Sequence, residues 1–267
     1  MSKMKLIKLL LKKGLFKKER EARGWIMAGK VYVDDNLIDK PGTKVEVSSE
    51  VSVHGLKKKY VGKGGYKLEG ALNDFDIKVK GKVVIDAGAS TGGFTDCLIQ
   101  KGVEKVYAVD AGYGQLMGKL RKNERVVNME KVNISDNQLK KLDPRPSLAT
   151  VDLSYLSLKK AIPIFSRIIK DNGEMICLVK PLFEVDNAEI RRTGNIKNPE
   201  TYKNVLLKLV DFVIDKEFSL INITHSPIKG SSGTREFFLR ISKNKDKSNL
   251  KNIEDKIEKV VQAVLNI

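Results

Sequence analysis

Four charged side chains stand where this chain could carry out acid–base chemistry. Asp152 closes an apolar run in TVDLSYLSL, Lys180 closes another in CLVKPLFE, Glu236 opens a third in GTREFFL, and Lys67 precedes the first such run in GKGGYKLEGAL. A lysine takes a proton from a weakly acidic hydroxyl only where burial and a second cation disfavour its charged form. A second lysine nearby, with partial burial, would meet that requirement. We assign the base role to Lys180, with Asp152 orienting its ammonium or the hydroxyl under attack. Lys67 and Glu236 complete the charge network and hold the group that reacts.

A second constellation, VVIDAGASTGGFTDCLIQKGVEKVYAVD from Val83 to Asp110, reads as a nucleotide-cofactor pocket. A buried strand runs into the small residues Ala87 to Gly93, and a helix follows over Phe94–Lys101 and stops at Gly102. The next strand ends on Asp110, whose carboxylate can accept both ribose hydroxyls of an adenosine group. Dinucleotide sites use G-x-G-x-x-G, with the middle glycine admitting a pyrophosphate. Ser90 occupies that position here. The glycines at 88, 92 and 93 with Asp86 ahead of them resemble instead the D-x-G-x-x-x-G-G loop of S-adenosylmethionine methyltransferases. Asp86 suits that sulfonium and ammonium ligand and would repel a pyrophosphate. The cofactor set is therefore Asp86, Gly88, Ala89, Ser90, Gly92, Gly93, Phe94 and Asp110. With a methyl donor that leaves easily, a poor nucleophile such as a ribose 2′-hydroxyl needs little beyond deprotonation and in-line positioning, and the Lys-Asp-Lys-Glu set can supply both.

Those residues need a sheet to position them. Apolar runs at Lys82–Asp86, Lys105–Val109, Val126–Met129, Ala149–Leu153 and Glu174–Lys180 alternate with helical stretches, as in a doubly wound α/β sheet. Phe218–Thr224 and Arg235–Ile241 add an antiparallel pair at one edge, making seven strands in a Rossmann-like methyltransferase domain. Ile253, Ile257, Val260, Val261 and Val264 form an apolar stripe on a last helix that packs on the domain. Ahead of all this lies a small basic α+β module. Leu6, Leu9 and Leu10 share one face of its first helix, Lys17–Ala28 forms a second, and Val31–Ile38 alternates around a hairpin turn. The boundaries read as 1–56 for this module, 57–62 for a short basic linker and 63–267 for the catalytic domain with its C-terminal helix.

Composition agrees with a polyanionic partner. Fifty Lys and Arg against 33 Asp and Glu give a net charge of +17 over 267 residues, which favours nucleic acid first and anionic membrane second. No apolar run approaches the ~18 residues of a spanning helix, and no signal-type cleavage site follows the basic start, so a cytoplasmic protein is expected. Cys97, Cys177, His54 and His225 are too scattered for a metal cluster, and no metal is expected.

The stretch GLFKKEREARGWIMAGKVYVDDNLIDKPGTKV resembles the S4 RNA-binding module, with Lys18–Glu19 where that family usually has Ser-Arg. The blocks GKGGYKLEGAL, DAGASTGGFTDCL, AVDAGYGQL, VDLSYLSL, LVKPLFE and SPIKGSSGTREFF resemble the FtsJ-type catalytic domain over residues 62–240. Together they are similar to the TlyA (hemolysin A) family. That resemblance implies S-adenosylmethionine-dependent 2′-O-methylation of ribosomal RNA, of cytidine within ribosomal subunits. It implies the tetrad Lys67, Asp152, Lys180 and Glu236, and an adenine contact from Glu130–Lys131–Val132–Asn133, where the family often has an acidic residue before Arg-Thr-Asn. Lys12, Lys13, Lys18, Arg20, Arg23, Lys30, Lys58 and Lys59 are the residues expected to meet RNA. The segment after Glu184 lacks the double glycine frequent in the family.

Four other readings compete, one of them a cysteine-dependent C5 methylation, for which Cys97 falls in the first helix and Cys177 inside a buried strand. Asp152–Leu153–Ser154–Tyr155 loosely echoes the D-P-P-Y loop of exocyclic-amine methyltransferases, but without its prolines and with no use for Lys180. A membrane-active protein would need more than one amphipathic helix interrupted by Glu and Asp. An RNA-binding assembly factor without catalysis would have no need of the cofactor loop and the tetrad.

Overall fold

Periodicity changes sharply near residue 60, and so does the architecture. A computed structural model describes residues 3–16, 18–55, 59–154, 156–196, 198–230, 233–244 and 250–265. The chain divides into two compact units, Met1–Lys59 and Tyr60–Ile267.

The first unit runs β1 (Lys3–Lys5), α1 (Leu6–Lys12), α2 (Glu19–Met27), β2 (Val31–Val33), β3 (Asn36–Leu37), β4 (Lys44–Glu46) and β5 (Val51–Val53). The apolar face of α1, with Leu6, Leu9 and Leu10 at 0–1% exposure, packs with Ala22 and Ile26 of α2 and with Val31. The expected hairpin is present as β2 and β3, paired Tyr32 to Leu37 and Val33 to Asn36. Its turn residues Asp34 and Asp35 both take positive φ, 47° and 63°, which suits the right-handed twist of a two-residue hairpin. Asp34 Oδ1 also accepts the Glu50 N–H at 2.8 Å, tying the turn to the strand beyond it. The pairing of β1 with β4 was not foreseen, because three-residue strands far apart in sequence carry no periodic signal.

The second unit opens with α3 (Lys63–Asp74), followed by β6 (Val83–Ala87), α4 (Gly93–Gln100), β7 (Lys105–Asp110), α5 (Gly118–Arg121) and β8 (Val126–Glu130). It continues with β9 (Leu148–Val151), α6 (Leu158–Ile168), β10 (Glu174–Val179), α7 (Pro181–Glu184), α8 (Ala188–Thr193), α9 (Pro199–Asp215), β11 (Ser219–His225), β12 (Phe237–Ser242) and α10 (Ile253–Leu265). Seven strands form one sheet in the order β11-β12-β10-β9-β6-β7-β8. All are parallel except β12, which runs antiparallel to both of its neighbours. The chain winds outward in both directions from the β6–β9 boundary, and ligands of such sheets gather outside the carboxyl ends at that switch point.

Two cores cover the sheet. Leu68, Ala71 and Leu72 of α3 and Phe94, Cys97 and Leu98 of α4 bury one face. Phe165 of α6, Leu206 and Leu209 of α9, and Ile257, Val261 and Val264 of α10 bury the other, so the stripe on the last helix is core. The starts of α6 and α9 follow side-chain capping rules. Ser157 accepts the Lys159 N–H ahead of α6, and Asn198 accepts the Glu200 N–H ahead of α9 with Pro199 at its first position.

Residues 60–62 of the expected 57–62 linker pack within the second unit. Tyr60 is buried against Gly65, the Val61 N–H donates to Asp96 at 2.8 Å, and Gly62 packs on Thr91 and Gly93, so these residues belong to the catalytic unit.

Candidate active site

Strand register carries three of the four candidate charges to one place. Val179 of β10 lies opposite Phe237 of β12 in their antiparallel pair, so the next positions, Lys180 and Glu236, face each other. Val151 of β9 lies beside Cys177 of parallel β10, and Asp152 leaves the sheet at the same end. Helix α3 contributes Lys67. It was expected ahead of the first strand and sits one turn inside this helix.

The four side chains form two ion pairs. Lys180 Nζ lies 2.6 Å from Asp152 Oδ1 and donates to Ser154 Oγ at 3.2 Å. Lys67 Nζ lies 2.5 Å from Glu236 Oε2. Their exposures differ: the side chains of Lys67 and Glu236 are 9% and 5% accessible, those of Lys180 and Asp152 19% and 21%. The second pair is the more open to solvent. Burial pushes the Glu236 carboxyl above the usual range, opposed by Lys67 and Lys180 and reinforced by Asp152, so the pairs share one electrostatic environment. Gly230 abuts the Glu236 carboxylate: a Cβ there would lie 2.5 Å from Oε1.

The glycine loop is shaped by its protein neighbours more than the motif suggests. Gly88 has φ 81°, and a Cβ on it would collide with the Asp152 carbonyl oxygen. This close approach seats Asp152 against the loop, and the Asp152 N–H donates to Ala87 O at 2.9 Å. Gly92, at φ 96°, leaves room for Leu116 and Leu120, and Gly93 lets α4 approach Gly64 of α3. The loop's N–H groups are largely spent within the protein. Those of Gly88 and Ala89 go to Val109 O, that of Gly92 to Ala89 O, and that of Ser90 to Asp110 Oδ2 at 2.8 Å. A pyrophosphate loop keeps such donors free for the anion. Half-exposed Asp110 and Asp152 beside exposed Ser90 and Thr91 instead offer acceptors and negative charge, a set that fits a sulfonium nucleoside with a ribose diol.

Five residues of the expected cofactor set are buried: Ala89, Gly92 and Gly93 within the loop, and the side chains of Asp86 and Phe94 inside the protein. Asp86 is 0% exposed, with its oxygens taken by Thr95 Oγ1 at 2.6 Å and Thr150 Oγ1 at 2.9 Å. Burial pushes its carboxyl up to about 6 against the pull of those hydroxyls. It secures the loop from behind and reaches a ligand only through its field. The Phe94 ring is core, 6.2 Å from that of Phe238. Asp110 also accepts the Gly112 N–H at 2.7 Å. Glu130 anchors the wall beyond it by accepting from the Gln115 and Leu116 N–H groups and pairing with Arg121 at 3.1 Å. Exposed Asn133 closes its own turn by accepting from Ser135.

Sequence reasoning missed Thr95, Thr150 and Ser154. A threonine amid buried strand residues, as in LATV, was the available signal, since its hydroxyl needs a partner there. Glu184 was missed as well. It accepts from Ser157 Oγ at 2.6 Å and the Leu158 N–H at 2.7 Å and so fixes α6 to the segment after Lys180. Pro181, Leu182, Asn195, Thr234 and Arg235 help line a neighbouring cavity of about 280 Å³.

Rival chemistries find little support in the geometry. Cys97 and Cys177 are fully buried, and burial pushes the Cys177 thiol up. Among the described residues there is no cluster that could hold a metal, and no helix is long and apolar enough to cross a membrane. Tyr155 of the amine-methylation reading lies outside the described residues, as does Lys58 of the RNA set.

Residues 1–59 hold 15 of the chain's Lys and Arg but only 7 of its Asp and Glu. Lys18, Arg20 and Lys30 line one open groove of about 480 Å³ with Glu21, Gly24, Trp25 and Ala28. Lys12, Lys13 and Lys59 are exposed outside that lining, and Arg23 pairs loosely with Glu19 at 3.7 Å one helical turn away.

The sequence model of the FtsJ-like methyltransferase family matches residues 60–243, and that of the S4 domain matches residues 4–51. A Bacillus subtilis protein with a provisional rRNA methyltransferase label, YqxC, is 38% identical over 90% of this chain and 85% of its own length. The Mycobacterium tuberculosis 16S/23S rRNA (cytidine-2′-O)-methyltransferase TlyA is 33% identical over 94% of this chain and 95% of its own. A solved Streptococcus thermophilus structure with a provisional hemolysin label has a TM-score of 0.75 at 36% identity, covering 100% of this chain and 97% of that one.

Proposed function

The chain belongs to the FtsJ-like methyltransferase family, with an S4 domain at its amino end, and from that premise we propose that it methylates the ribose 2′-hydroxyl of a cytidine in ribosomal RNA, within assembled subunits in the cytoplasm. The methyl donor is S-adenosylmethionine, which when bound supplies an electrophilic methyl group on a sulfur that leaves as a neutral thioether. Asp110 is suited to the donor's ribose diol, while Gly88, Ser90 and Asp152 border the space beside it.

The observation that carries this reading is the half-open Lys180–Asp152 pair, seated by Gly88 directly against the cofactor loop. This chain's part lies at the hydroxyl: Lys180 Nζ would receive its proton while the hydroxyl oxygen takes up the methyl group that the donor supplies. Asp152 and Ser154 fix the Nζ of Lys180 for that transfer, so alignment is built before substrate arrives. The more buried Lys67–Glu236 pair adds its charges through Glu236, which faces Lys180 in the β10–β12 register, and the cavity lined by Pro181 and Arg235 gives the target nucleotide room nearby. This narrows the expectation that Lys67 and Glu236 hold the ribose themselves: at 9% and 5% exposure they act mainly through the charges they position.

Transfer of labelled methyl from S-adenosylmethionine to purified ribosomal subunits, with the product digested to nucleosides, tests the assignment. Label on cytidine ribose that disappears with Lys180→Ala is the expected result. Label on a base would replace this reading with amine methylation, and no label on either subunit despite cofactor binding would replace it with an RNA-binding assembly role.

A further inference from the structure

We propose that the groove around Trp25 is a stacking site for an unpaired RNA base, so that the first unit reads single-stranded RNA as well as phosphate charge. The inference rests on the RNA substrate proposed above and adds a ligand class at a place that reading leaves undefined.

Trp25 is the chain's one tryptophan, and it is only half-buried although its neighbour Ile26 in α2 is core. Its inner side leans on Phe16, ring centroids 6.0 Å apart. The outer side opens into the groove whose other walls are Gly24, Ala28, Lys18, Arg20, Glu21 and Lys30. Small residues leave the platform uncovered. A Cβ on Gly24 would meet nothing within 4 Å, and one on Gly55 would only touch the edge of the indole, at 3.8 Å.

Three cations against one carboxylate surround this aromatic wall, and Lys30 Nζ already sits 5.1 Å from the ring centroid. An aromatic face rimmed by mobile cations is the arrangement that single-stranded nucleic acids use, the base stacking while the phosphate pairs with the cation. On binding, the Lys30 ammonium can move from the ring to the phosphate of the nucleotide whose base takes its place. A duplex offers phosphates but keeps its bases stacked on one another, so it gains nothing from the indole.

Trp25 emission in the full-length protein reports on this groove alone. The protein would be titrated with a short single-stranded oligoribonucleotide and, separately, with an abasic strand carrying the same number of phosphates. Emission is followed together with anisotropy of a dye on the strand. Saturable quenching by the base-containing strand, with little from the abasic one, is expected. Trp25→Ala should weaken binding of the base-containing strand about 5- to 100-fold, Trp25→Phe should retain most of it, and neither should alter abasic binding. If the alanine variant does not fold, the two wild-type emission curves and Trp25→Phe decide the matter. Anisotropy showing tight binding of both strands with unchanged emission would overturn the stacking site while leaving RNA binding intact. No RNA binding by anisotropy at low salt would remove the RNA reading and this inference with it.

Discussion

The lysines of the two units are used in opposite ways. In the catalytic unit, Lys67 and Lys180 are each held by a carboxylate at 2.5–2.6 Å, on positions fixed by strand register and a helix start. In the first unit, Lys18, Arg20 and Lys30 edge an open groove, and Lys30 rests on an indole. The contrast separates two tasks that positive charge can perform. A paired lysine with little exposure is an aligned reagent, and its partner is part of its function. An exposed lysine is a source of field and counterion release, interchangeable with its neighbours.

The largest test of that contrast is Lys180→Ala, which should lower kcat about 10²- to 10⁴-fold, the usual worth of a positioned base, with cofactor affinity retained. A loss under tenfold in single-turnover transfer would place the base elsewhere. Next comes a matched pair of stability variants. Lys67→Met leaves Glu236 buried without its cation and should cost about 3–5 kcal/mol in urea unfolding, whereas Lys18→Met should stay within about 0.5 kcal/mol. Equal costs would erase the distinction. Gly88→Ala drives a methyl group into the Asp152 carbonyl at a positive φ and should slow transfer about 10²-fold through misplacement of the Lys180–Asp152 pair. Unchanged kinetics would mean that the loop yields without moving Asp152.

Asp86 supplies a pH test. Its carboxyl is raised to about 6 from an ordinary 3.8, so the folded state holds this proton more tightly than the unfolded chain. The resulting stability is fully present below about pH 4 and is lost as pH rises through about 6, a fall of roughly 2–3 kcal/mol. Asp86→Asn should flatten that part of the stability curve while the threonine hydroxyls still find partners, and a curve parallel to the wild type would count against the raised carboxyl. The smallest effect is expected from Lys18→Met on RNA binding, a drop of about 1 in the slope of log affinity against log salt. No change in slope would place Lys18 away from phosphate.

The same contrast governs how much was legible in the sequence. Buried parallel strands such as VVIDA and EMICLV are continuous apolar runs, so their ends were read to within a residue or two, and the charges at those ends pointed to the site. What the runs could not convey is which side of the backbone each neighbour occupies. Asp86 looked like a ligand contact because its motif places it beside the loop, yet Thr95 and Thr150, from α4 and β9, enclose it. Gly88 and Gly92 read as space for a cofactor, but their nearest calls on that space come from Asp152, Leu116 and Leu120. Trp25 went unnoticed for the converse reason: a lone aromatic in a charged helix reads as a core anchor, and only the packing shows how much of it the core leaves uncovered.

The position of β12 bears on when the enzyme acquires its chemistry. This strand lies between β10 and β11, so β11, though synthesised earlier, has no partner in the sheet until the later strand slots in. Glu236 enters with it, opposite a Lys180 made long before. A nascent chain can therefore complete the β6–β7 cofactor corner while the tetrad is still missing a member. If Glu236 has the role proposed for it, methyl transfer waits on the sheet's last insertion, with only the packing of α10 still to follow in the chain.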